Sequence, residues 1–167
     1  MTILGAMCEK GIVTLTLRNP SAVVSKKKRK LSYYTAEDVN GRIGTRTNHY
    51  LAFLSATIDV LDAQNMQGRY IIMDNAPIHT SEEVKTLITS RGYHCVYLPP
   101  YSPFLNPIEE MWSKIKLGVR RDEVSNKDTL IPRITEAAKT VTVSDCIGWI
   151  NHSVSFFERC LEKEENL

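Results

Sequence analysis

A chain of 167 residues, 43% apolar and 24% charged, is long enough for one domain with a sizeable core and short for two, and this balance excludes a disordered or fibrous class. No apolar run approaches the ~20 residues that cross a bilayer, and the opening MTILGAMCEKG is too short and wrongly flanked for a signal peptide, so an intracellular protein without a membrane partner is expected. A net charge of +2 does not announce a nucleic-acid partner, which must be argued from local clusters such as Lys26, Lys27, Lys28, Arg29 and Lys30.

Cys8, Cys95, Cys146 and Cys160 are scattered and form no C-x-x-C pair, which argues against a zinc site or a disulfide framework and for reduced thiols. Residues 2–7 (TILGAM) and 12–18 (IVTLTLR) are β-rich runs joined by Cys8, Glu9, Lys10 and Gly11, a pattern that predicts an antiparallel hairpin. From Asn19 to Asn48 the periodicity dissolves, and the basic run falls in what reads as an inserted loop. Leu51, Leu54, Ile58 and Leu61 then recur at helical spacing and predict a helix from about Thr47 to Gln64, stopped by Asn65 and Gly68.

YIIMD, a continuous apolar run ending in Asp74, reads as a strand buried on both faces. Thr80 and Glu83 read as a capping box for a helix to about Ser90, with Gly92 as its stop, and HCVYL returns as a strand before Pro99 and Pro100. Strand, helix, strand in this order implies parallel pairing through a right-handed crossover. Beyond the proline-rich turn, Ile108, Met111, Trp112, Ile115 and Val119 fall at helical intervals, with Pro107 suited to the first turn. A helix from about Lys127 to Lys139 tolerates Pro132 near its start, and a last helix, capped by Ser144, is expected to bury Ile147, Ile150, Val154, Phe157 and Leu161.

The chemistry concentrates between Asp74 and Arg121. Asp74 closes a strand, and the carboxyl ends of strands in an α/β fold open on the crevice where ligands bind. A turn-capping role through Asn75 and Ala76 explains the same residue equally well. In LPPYSPFLNPIEEMWSKIK a rigid proline-bearing loop delivers Glu109 and Glu110 to the first turn of an amphipathic helix, where acidic residues also complement the helix dipole. Ser113, Lys116 and Arg120 follow Glu109 on one stripe, with Lys114 close by; these cations could bind DNA phosphates, or form an ordinary solvated face.

DNAPIH followed by LPPYSPFLNPIEEMW resembles the signature of the mariner-type superfamily of DDE transposases, in which thirty-four residues commonly separate the second catalytic aspartate from the catalytic glutamate. Thirty-four residues lie between Asp74 and Glu109, so Glu109 rather than Glu110 matches the family's third carboxylate. The resemblance implies an α/β, ribonuclease-H-like fold with a mixed sheet flanked by helices, spanning residues 1–167 as one partial catalytic domain, with 19–48 as the basic loop and 122–167 as C-terminal helices. It implies DNA strand cleavage and strand transfer with Asp74 and Glu109 as catalytic metal ligands, and Mg2+ or Mn2+ as the cofactor, two ions in a complete site. Asn75, His79 and Asn106 match motif positions that orient groups or fix turns. The implied partner is DNA, a homodimer is left open, and no small-molecule cofactor is expected. KKKRK resembles a nuclear localisation signal, which implies the nucleus, with a phosphate-binding loop as the competing role.

In the family the first catalytic aspartate lies on a central strand ahead of the one that TILGAM resembles. That strand is not in this sequence, and Asp38, Asp59 and Asp62 fall in the loop and a helix where they do not replace it. The expectation is an incomplete sheet, a weakened metal site and a fragment impaired in catalysis, also lacking the amino-terminal helix-turn-helix that recognises transposon ends. The alternative is a non-catalytic, transposase-derived module that binds DNA or a protein. A small-molecule α/β enzyme finds no support, since neither a glycine-rich phosphate loop nor a nucleophile elbow occurs.

Overall fold

The computed structural model describes residues 2–18, 47–120 and 130–162. The basic run and most of the expected loop lie outside them, as do Asp38 and the start of the helix expected from Lys127. The described residues form an α/β arrangement of four strands and six α-helices.

Strands β1 (Thr2–Cys8) and β2 (Gly11–Arg18) pair antiparallel from Thr2↔Arg18 to Cys8↔Gly11, with an irregularity between Ala6 and Met7. Side chains alternate across a strand. Leu4, Ala6 and Cys8 therefore face one apolar core while Ile3 and Met7 face another, and the hairpin is the wall between them. Helix α1 (Thr47–Ala63) presents Tyr50, Phe53, Leu54, Thr57 and Ile58 to the first core, a stripe at i, i+3, i+4, i+7 and i+8. Asn65 and Gly68 both take positive φ values, 55° and 81°, and end the helix as the sequence predicts.

Strand β3 (Tyr70–Met73) pairs parallel with β4 (His94–Tyr97) across α2 (Glu82–Ser90), whose Val84 and Ile88 are fully buried. The cap of α2 differs from expectation. Ser81, not Thr80, is the N-cap, its hydroxyl accepting from the Val84 amide, because the turn through Thr80 still bonds back to Ala76. The strand expected to be buried on both faces is buried on one only: Tyr70 is 65% and Ile72 51% exposed. Nor do the described strands form one mixed sheet. They form two separate two-stranded sheets, and β1 and β3 do not pair.

A 3-10 turn at Pro103–Leu105 leads into α3 (Ile108–Arg120), with Pro107 immediately before the first helical residue. Met111 and Ile115 of α3 join Ile134 and Ala137 of α4 (Leu130–Lys139) in the second core. The two helices approach closely at Gly118, where an added Cβ would lie 2.9 Å from that of Ala137. Helix α5 (Val143–Ser155) starts at a reciprocal capping box between Thr142 and Asp145 rather than at Ser144. Its buried residues are Cys146 and Ser153, one position before the expected Ile147 and Val154. The chain breaks helix at Phe156, so Phe157 and Leu161 of α6 (Phe157–Leu161) leave the predicted stripe, and Leu161 is 82% exposed. The four cysteines form no disulfide.

Candidate metal centre

Asp74 follows directly on β3 and its side chain is 57% exposed. Oδ1 accepts from the Ala76 amide at 3.1 Å and contacts His79 Nδ1 at 2.6 Å, while the Ala76 carbonyl accepts from the His79 amide at 2.8 Å. The turn-capping role is thus real, but it occupies one oxygen: Oδ2 has no hydrogen-bond partner among the described residues. The Tyr97 hydroxyl donates to the His79 carbonyl at 3.1 Å, and the His79 ring lies against that of Tyr50, centroids 4.5 Å apart. Burial, followed by the charge of Asp74, pushes the Tyr50 hydroxyl well above its ordinary pKa, and burial raises that of Tyr97 to about 12, so both stay protonated donors.

The amphipathic α3 fixes the two glutamates differently. The Glu109 amide donates to the Asn106 carbonyl at 3.1 Å, and the Glu109 carboxylate makes no ion pair or hydrogen bond among the described residues. Glu110 is engaged by His152 of α5, Oε1 to Nδ1 2.5 Å. Successive helical residues point about 100° apart, so one carboxylate braces α5 while the other faces the cleft.

Asp74 and Glu109 line one cleft of about 800 Å3, lined also by residues of β1 and β3 and by Tyr50, His79, Asn106 and Trp112. Ile150, Val154 and Phe157 also line it, which accounts for apolar residues that the sequence pattern assigned to a packed core. No group of three or more His, Cys, Asp or Glu side chains suited to a metal ion occurs among the described residues. Asp59 and Asp62 are bound to Arg91 at 2.7 and 2.5 Å, consistent with their exclusion from the site.

The remaining site residues divide. Asn75 is exposed and does not line the cleft, whereas Asn106 does and serves α3 through its carbonyl. Lys116 and Arg120 lie exposed on α3. Lys114 is instead engaged by Asp145 of α5, and its ammonium, ahead of the bonds from Thr142, lowers the Asp145 pKa to about 2. Sequence reasoning passed over Tyr50, Tyr97 and His152, because a tyrosine on a core stripe and a histidine on a distant helix carry no local signal of what they touch.

Residues 19–131, a span containing both carboxylates, match the family model for the DDE superfamily endonuclease domain. The chain belongs to this family. It is 34% identical over 82 residues to the transposable element Tc1 transposase of Caenorhabditis elegans, a match covering 48% of the chain and 30% of that relative. It is 30% identical over 84 residues to the Tcb2 transposase of Caenorhabditis briggsae, covering 49% and 31%, and 31% identical over 71 residues to the Tcb1 transposase of the same organism, covering 42% and 26%. The chain thus spans less than a third of the length of the DDE relatives it matches. The kinship with mariner-type DDE transposases expected from DNAPIH and LPPYSPFLNPIEEMW holds.

Proposed function

We propose that this chain is the carboxylate-bearing part of a transposase catalytic domain of ribonuclease-H-like type, in which Asp74 and Glu109 hold a divalent cation, Mg2+ or Mn2+, for DNA strand cleavage and strand transfer. The observation that carries the proposal is the shared cleft: residues separated by thirty-four positions line one cavity, and each keeps at least one oxygen without a partner among the described residues. The donor chemistry fits, since magnesium-class ions take oxygen ligands, keep several waters and need few carboxylates. When bound, a pair of such ions about 3.5–4 Å apart stabilises charge on the attacking and leaving oxygens of a phosphodiester.

The chain's own residues supply the rest. Ala76 and His79 hold Asp74 through Oδ1, Asn106 orients the first turn of α3, and the pairing of Glu110 with His152 keeps that helix against α5. Lys116 and Arg120 would contact phosphates flanking the site; Lys114, engaged by Asp145, is left a structural role. Two carboxylates form a weak cation site, so activity is expected to be low. The edges of β1 and β3 that no described strand pairs leave room on the cleft wall for a further strand bearing the third carboxylate. The basic run Lys26 to Lys30 is proposed to direct nuclear import, and changing all five to alanine should abolish nuclear accumulation of a fluorescent fusion.

Nicking of supercoiled plasmid in Mg2+ or Mn2+ tests the assignment. Weak metal-dependent nicking lost in both Asp74→Asn and Glu109→Gln is the expected result, and nicking indifferent to either substitution refutes it. A chain that retains DNA binding in both variants while nicking under no condition supports the second reading, a non-catalytic module, which the lack of a third carboxylate among the described residues favours.

A further inference from the structure

We infer that Tyr50 is a positioning residue for the Asp74 carboxylate, acting through the His79 ring, and that the arrangement reserves Asp74 Oδ2 as the oxygen for a divalent cation. The inference rests on the proposed role of Asp74 as a metal ligand and adds the residue that aims it. Asp74 closes a strand with more than half of its side chain in solvent, and the Ala76 amide on Oδ1 by itself leaves the carboxylate free to swing about that one bond. His79 prevents it. Nδ1 meets Oδ1 at 2.6 Å and, because its neighbour is a carboxylate acceptor, carries the proton. That bond, with the Ala76 amide on the same oxygen, fixes the plane of the carboxylate and leaves Oδ2 without a bond among the described residues.

An imidazole aims a carboxylate only if its own ring is held. His79 is anchored at its carbonyl by Tyr97 and at its face by Tyr50, centroids 4.5 Å apart with planes tilted by 33°. Tyr50 is fixed in turn, 5% exposed in the first core, its hydroxyl donating to Met73 Sδ at 3.1 Å. The packed helix α1 is thereby connected, through two rings, to an otherwise mobile carboxylate. Groups that orient metal ligands without touching the metal characteristically change affinity by about 10–100-fold. A tyrosine that merely fills the core would show no such effect.

The test uses the full chain with Mn2+ alone, binding followed by titration calorimetry and by loss of the free Mn2+ paramagnetic resonance signal, together with the nuclear magnetic resonance of the His79 Nδ1 proton. Tyr50→Phe, which keeps the ring, should bind Mn2+ as the parent does and keep a downfield His79 signal. Tyr50→Leu should weaken binding by about tenfold and shift that signal upfield. His79→Ala should weaken binding by about the same factor, and adding Tyr50→Leu to it should weaken it no further, because the two act in series. If Tyr50→Leu does not fold, Tyr50→Met replaces it with a flexible chain of similar bulk. Unchanged affinity and an unchanged His79 signal in the folded aliphatic variant, or additive losses in the double variant, overturn the inference. Asp74→Asn separates the two claims. Parent-like Mn2+ affinity in Asp74→Asn overturns both the ligand assignment and this inference, whereas lost affinity there with no effect of Tyr50 overturns the inference alone.

Discussion

Gly5 lies midway along β1 where that strand crosses α3, and a Cβ placed on it would sit 2.6 Å from Trp112 Cη2, 2.8 Å from Cζ2 and 3.3 Å from Met111 Cε. Gly5→Ala therefore forces the indole aside. Overpacking of this kind costs about 1–3 kcal/mol, and since Trp112 borders the cleft its ring has somewhere to go, which favours the lower half of that range. Trp112→Phe deletes both clashing ring atoms at a cost of about 1–2 kcal/mol of lost packing, taken as a fraction of the Trp→Ala range. The two changes should be coupled: the double variant is expected to be more stable than the sum of the singles by about 1 kcal/mol. Urea unfolding followed by far-ultraviolet circular dichroism measures each state without relying on Trp112 fluorescence, and thermal midpoints should differ by about 2–4 °C per kcal/mol. Because α3 carries Glu109, Mn2+ affinity should fall in Gly5→Ala and recover in the double variant. Additivity within about 0.5 kcal/mol would refute the packing argument.

Three further outcomes are expected. Ser81→Ala should destabilise the chain by about 1 kcal/mol while Thr80→Ala costs distinctly less, since Ser81 caps α2; the reverse order in thermal melts would return the cap to Thr80. The folded pKa of Asp145 lies below its unfolded value, so its stabilisation is complete above about pH 4 and is lost as pH falls through about 2. Allowing for a side chain 26% exposed, Asp145→Asn should cost about 1–2 kcal/mol at pH 7, with the gap from the parent closing between pH 4 and 2; a gap constant over that window removes the assignment. Glu109→Gln, which removes a ligand oxygen, should weaken Mn2+ binding more than Glu110→Gln or His152→Ala, which only loosen the brace between α3 and α5. Equal losses from both glutamates, read by calorimetry, would mean that the spacing chose the wrong carboxylate.

Local physics made much of this protein legible from its residues alone. The hairpin, the crossover from β3 to β4 and helices α1 and α3 follow from alternation, helical spacing and punctuating glycines and prolines, which act over a few residues. That Asp74 and Glu109 line one cleft was legible for another reason, a family interval that stands in for distance, and the family match of residues 19–131 spans both.

What tertiary structure alone decided is which apolar stripe each helix buries and which polar groups are already engaged. Ile147 and Val154 looked like core, but Cys146 and Ser153 are the buried pair of α5, because a stripe one residue away differs by only about 100° in direction and the neighbouring elements choose between them. Glu109 and Glu110 are chemically alike and adjacent, yet His152, forty-two residues later, engages one and leaves the other on the cleft. Tyr50 carried no sign of its contact with His79, twenty-nine residues on. Contacts of that range depend on how packed elements meet, and a linear pattern does not encode their angles.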